Sequence, residues 1–209
     1  MFFKNGKIIK CQIITAIVFI LISGQVFAQN ESAKAGKGKI GLTFSSFGDI
    51  VVYEPEPLEG AGGREGDYFY VVGLTYLKPL KGKLELETGI EFTRYGIIQT
   101  PALYPPFDMT PSKKSISMIS VPVGVRLNFL KYLFINGALL FDLETSSSSS
   151  VNSQTGIGAM GGVAVKYDFH FGGSIFINPY IKTHSLISFG MDNHKQMLLE
   201  SGIRVGFSF

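Results

Sequence analysis

Apolar and polar residues alternate one by one along most of this chain. At its end Ile203, Val205, Phe207 and Phe209 are separated by Arg204, Gly206 and Ser208. A period of two puts successive side chains on opposite faces of an extended strand, here one apolar and one polar or small. The same period recurs upstream. Ile40, Leu42 and Phe44 alternate with Gly41, Thr43 and Ser45, and Tyr68, Tyr70, Val72, Leu74 and Tyr76 share a side opposite Gly73 and Thr75. Over 83–95, Leu84, Leu86, Ile90 and Phe92 oppose Glu85, Glu87, Gly89, Glu91 and Thr93. Over 115–129, Val121, Val123, Val125, Leu127 and Phe129 oppose Ser120, Pro122, Gly124, Arg126 and Asn128. Ile116 and Met118 are out of phase with that stripe, which predicts a bulge near Met118 or Ile119.

Three more segments complete the pattern. Leu133, Ile135, Leu139, Phe141 and Leu143 face away from Phe134, Asn136, Ala138 and Asp142; Ile157, Ala159, Val163, Val165, Tyr167 and Phe169 face away from Gly158, Met160, Gly162, Ala164, Lys166, Asp168 and His170. Ile175, Ile177 and Ile181 oppose Asn178, Tyr180, Lys182 and His184. Between the strands, 47–66 is acidic and rich in Pro and Gly, 96–114 carries Pro101, Pro105, Pro106 and Pro111, 144–154 contains five consecutive serines, and 185–196 is the last loop. The intervening connections, at 78–82, 130–131 and 172–173, are tight turns.

Eight strands joined by alternately long and short connections predict an all-β, eight-stranded antiparallel up-and-down transmembrane β-barrel, with short turns at one end and long loops at the other. Each strand is long enough, at about ten residues, to cross an apolar layer when tilted. A soluble lipocalin-like lipid carrier would bury the apolar face inside and turn the charges outward. The membrane arrangement is favoured because the apolar face is nearly free of charge and the polar face is rich in Gly and Ser. Aromatics also gather at the strand ends: Tyr68 and Tyr70 toward the loops, and Tyr76, Phe129, Tyr132, Tyr167, Phe169 and Phe209 toward the turns. Two residues fit poorly. Arg94 has apolar parity, though near the loop end, and Pro179 removes a backbone donor in mid-strand, for which a local bulge is the expectation.

Residues 1–28 read as a signal peptide: Lys4, Lys7 and Lys10 precede the apolar run Ile13 to Ile22, and Val26 and Ala28 hold the small-residue positions. Cleavage after Ala28 leaves 29–209 as the barrel and removes Cys11, the one cysteine. It also removes three of the 19 basic residues and none of the 16 acidic ones, so the remainder is formally neutral (19 − 3 = 16). Nothing in that balance or in the residue pattern points to nucleic acid.

The signal, the Gly-Leu-Thr-Phe first strand (41–44), the hairpin through Pro79, Leu80, Lys81 and Gly82, the Val121-Pro122-Val123 strand and the closing run 202–209 together resemble the PorT-like outer-membrane β-barrel domain family of Bacteroidota. The last strand, with Phe207 and Phe209, is similar to the terminal strands of bacterial outer-membrane barrels. That resemblance implies a place in the cell outer membrane, contact with outer-membrane lipid, and recognition of Phe207 and Phe209 as an insertion signal by the barrel-assembly machinery.

The expected lumen holds Glu85, Glu87, Glu91, Arg126, Asp142, Lys166, Asp168, Lys182, Glu200 and Arg204. Eight strands leave room only for side chains, so these residues are expected to form a structural ion-pair network rather than an open pore. No cofactor, metal cluster or catalytic set is expected. The alternative is an outer-membrane lipid hydrolase using His184 with Ser188. Ser185 is set aside because neighbours in a strand point to opposite faces. The leading expectation is a non-enzymatic structural or binding barrel whose external loops meet an unidentified protein partner.

Overall fold

The computed structural model describes residues 37–54, 62–101, 110–146, 153–189 and 196–209. The expected signal peptide, the middle of each long loop, most of the serine run and His194 lie outside them.

The described residues form eight strands: β1 (Lys39–Tyr53), β2 (Arg64–Pro79), β3 (Leu84–Gln99), β4 (Ser112–Leu130), β5 (Leu133–Glu144), β6 (Gly156–Asp168), β7 (Ser174–Ser188) and β8 (Met197–Ser208). Each pairs antiparallel with its sequence neighbours, and β1 pairs with β8 to close the barrel. Closure leaves no free edge, as a membrane wall requires. The strands run further than the alternation reached. The acidic, Pro- and Gly-rich composition of 47–66 reads as loop, yet Phe47 to Tyr53 continue β1 against β8 after a bulge between Ser45 and Phe47. The loop bases at 64–66, 96–99, 112–114 and 186–188 are likewise strand.

Side-chain orientation follows the alternation closely. Leu42, Phe44, Val72, Leu74, Ile90, Val125, Leu139, Val165, Ile177 and Ile203 are exposed on the outside, whereas Glu87, Glu91, Arg126, Lys182 and Arg204 are buried inside. The apolar face therefore does not line a calyx, which removes the lipocalin-like arrangement. Tyr76, Tyr132, Tyr167, Phe171 and Phe209 are exposed toward the turns, as are Tyr53 and Tyr68 toward the loops. The outer surface turns polar below the loops, at Arg94 paired with Ser117 and at Asp49 paired with Ser201.

No bulge occurs at Met118 or Ile119, where the β3–β4 and β4–β5 registers run without a shift. Ile116 and Met118 simply face inward with Ser120. They join Ile50, Phe69, Val71, Tyr95, Ile97 and Leu198 in an apolar cluster that fills the loop end of the lumen. A second cluster of Phe134, Ala164 and Phe176 fills the turn end.

Candidate functional site

Between these clusters lies an enclosed polar chamber. Glu87, Glu91 and Tyr95 are four apart on β3, and Asn178, Tyr180, Lys182 and His184 are two apart on β7, so the strand period turns both sets inward. Lys182 Nζ lies 2.8 Å from Glu91 Oε2 and 4.0 Å from Glu200 Oε1. Arg204 reaches Glu91 Oε1 through Nη1 and Glu87 Oε1 through Nη2, each at 3.3 Å. Arg126 Nη2 lies 3.2 Å from the same Glu87 oxygen, and its guanidinium sits 4.0 Å from the ring centre of Phe134 and 4.9 Å from that of Phe176. The aromatic faces thus cover the cation where carboxylates do not.

On the loop side the chain of contacts continues through neutral groups. The Tyr95 and Tyr180 hydroxyls both donate to Glu200. His184 Nε2 is 2.8 Å from the Tyr95 hydroxyl, and Nδ1 is 2.7 Å from Asp142 Oδ2. Ser120 donates to the other Asp142 oxygen at 2.6 Å. The chamber therefore sets four carboxylates (Glu87, Glu91, Asp142, Glu200) against three permanent cations (Arg126, Lys182, Arg204), with His184 facing Asp142, the carboxylate that none of these cations pairs with. In a low-dielectric enclosure such charges persist only when paired and hydrogen-bonded.

Of the ten residues expected in the lumen, seven meet here. Glu85, Lys166 and Asp168 instead line a small pocket of about 80 Å³ at the turn-end mouth, with Arg126 at its inner wall. Lys166 Nζ pairs with Asp168 at 3.1 Å, and Ser174 donates to Asp168 at 2.6 Å. Tyr95, Tyr180, Ser120 and Asn178 belong to the chamber without having been placed in its charged set. Their inward parity was the available signal. Phe207 and Phe209 lie on the outside, their ring centres 6.1 Å apart.

His184 is fully buried with both ring nitrogens engaged. Ser185 does not point to the opposite face as a regular strand would require. It is buried too, with φ of 57°, beside the register shift between β6 and β7. Ser188 remains at the loop base, partly exposed.

Pro179 has a different explanation from the expected bulge, since β7 and β8 pair through it without a shift. On its other side the β6–β7 ladder skips Val163 and Ala164. With the facing amides of Asn136 and Asn178 turned to satisfy their neighbours, the Asn178 nitrogen donates to the carbonyls of Pro179 (2.8 Å) and Val163 (3.3 Å). A side-chain donor from the lumen thus replaces the one that proline lacks.

The loop end is closed by further polar contacts. Glu144 accepts from the Gln154 backbone at 3.0 Å, and the Gln154 side chain donates to the Gln196 carbonyl at 3.0 Å. Arg64 pairs with Glu54, which also accepts from Gln196 at 2.7 Å.

An even strand number, alternating turns and loops, an outward apolar belt with aromatic rims and an ionic interior constitute the architecture of an outer-membrane β-barrel. Among solved structures, the chain is similar to the outer-membrane protein OprG from Pseudomonas aeruginosa, with 10% identity, a TM-score of 0.48 and coverage of 84% of this chain and 97% of that one. It is also similar to the Yersinia pestis outer-membrane protein Ail, with 13% identity, a TM-score of 0.38 and coverage of 83% and 100%. No family model and no curated protein matches the chain.

Proposed function

We propose that this protein is a non-enzymatic barrel of the outer membrane, of PorT-like type, that acts as a rigid stand for its external loops. The observation that carries this reading is the sealed lumen. A chamber of paired ions lies between two apolar clusters, so the interior braces the wall instead of conducting. The same enclosure argues against lipid hydrolysis. A base acting on lipid must be reachable from the bilayer or from solvent, and His184 faces neither.

What remains for recognition is the loop end, whose strand bases are tied by the Arg64–Glu54 and Lys113–Asp67 ion pairs. The proposed partners are a protein at these loops and, during biogenesis, the barrel-assembly machinery acting on Phe207 and Phe209. Pull-down from detergent-solubilised envelopes, comparing the full chain with variants lacking the 55–61 or the 102–109 segment, tests the loop reading. The full chain is expected to retain a protein that at least one deletion releases. Single-channel recording is expected to show a silent bilayer, and His184→Ala is expected to leave the lipid profile unchanged. Discrete conductance steps, or a lipid profile that depends on His184, would overturn the proposal.

A further inference from the structure

The outer wall is not uniformly convex. Phe47, Ile135, Val163, Ile181 and Ile203 border a groove of about 740 Å³ that opens outward from the barrel. Its floor is low because Gly161 and Pro179 carry no long side chain across β6 and β7. The volume lies in the range of pockets that hold small organic ligands. At the groove's end toward the loops the lining changes character, with Ser201 on β8. Ser201 pairs across the β1–β8 ladder with Asp49, and both residues are exposed. None of the ion pairs among the described residues includes Asp49. Asp49 does not itself line the groove, but it follows the lining residue Gly48 on β1 and faces the lining residue Ser201 across the ladder, which puts an exposed carboxylate beside the groove's loop-side end.

We infer that the groove and Asp49 together form a lipid site that seats one acyl chain and pairs its headgroup ammonium with the Asp49 carboxylate. The chain segment matches the uncharged walls. Charge complementarity selects an amine-bearing headgroup over an anionic one, with the Ser201 hydroxyl beside it as a hydrogen-bonding group. The inference rests on the membrane reading above.

The test uses the full barrel in nanodiscs of phosphatidylglycerol, doped with chain-labelled nitroxide phosphatidylethanolamine or phosphatidylglycerol. The readout is the motionally restricted fraction of each label. Phosphatidylethanolamine is expected to be retained about threefold over phosphatidylglycerol, the size of an exposed ion-pair preference. Asp49→Asn should abolish that discrimination while keeping restricted label. Gly161→Leu should reduce the restricted fraction of both labels. A Cβ at Gly161 meets only the Asn136 carbonyl, at 3.8 Å, so the wall accommodates it.

Equal retention of the two labels by the wild type, discrimination that survives Asp49→Asn, or an unchanged restricted fraction in Gly161→Leu would overturn the inference. So would a cross-linked dimer lost in Gly161→Leu, which would make the groove a seat for a second copy. Should Gly161→Leu fail to fold, Asp49→Asn still decides. Failure of the protein to float with vesicles would sink the membrane reading, whereas flotation without headgroup preference sinks this inference alone.

Discussion

The lumen has two regions built on opposite principles, and β3 passes through both. Around Glu87 and Glu91 it is ionic, and each side chain is held by two or more directed contacts. Six residues beyond Glu91, at Ile97, it is apolar, and packing alone fills the space, while Tyr95 spans the boundary with its ring in the apolar cluster and its hydroxyl on Glu200. Directed contacts fix strand positions because a one-residue slip would carry a charge to the lipid face. Apolar packing excludes water without fixing geometry so tightly, since hydrophobic groups tolerate repacking of similar volume. The ionic middle therefore specifies the register, and the apolar ends seal it.

The comparison breaks most readily at Glu91. Glu91→Gln leaves Lys182 and Arg204 short of a buried counter-charge and is expected to cost about 3–5 kcal/mol, measured by urea unfolding in lipid vesicles. A loss below about 1 kcal/mol would mean that water enters the chamber and solvates these cations. The outward neighbour supplies a control for the lipid side. Ile90→Arg is expected to cost about 2–4 kcal/mol if Ile90 sits in the middle of the belt, whereas replacing Arg94 by Leu should change stability by only about 0–1 kcal/mol. Equal effects at the two positions would misplace the belt's upper limit. The mildest change belongs to the apolar cap, where Ile97→Val should cost about 0.5–1.5 kcal/mol in the same assay.

Strand number, strand type and the outward face were legible along the chain because period-two alternation is a local property. It held through Leu42, Leu74, Ile90, Val125, Ile177 and Val205, all exposed outside the barrel. The loop bases were not legible. The acidic, Pro- and Gly-rich composition of 47–66 reads as loop, and strand over 47–53 is sustained by pairing with β8, a partner distant in sequence.

The inward positions divide in the same way. Alternation put Glu87, Glu91, Arg126, Asp142, Lys182, Glu200 and Arg204 inside, but Ile116 and Met118, out of phase with the apolar stripe of their own strand, read as a bulge. The structure shows that the lumen changes from ionic to apolar along its axis, a property of where eight strands converge rather than of any one of them.

Sequence by itself thus determined the alternating strands, their even number and the segregation of oily from ionic faces, since each follows from side-chain period and solvent preference. Tertiary structure alone decided which charges meet, that Asn178 supplies the donor Pro179 lacks, and that His184 is locked between Asp142 and Tyr95. Those contacts join strands far apart in the chain, and only the register and closure of the barrel bring them within hydrogen-bonding reach.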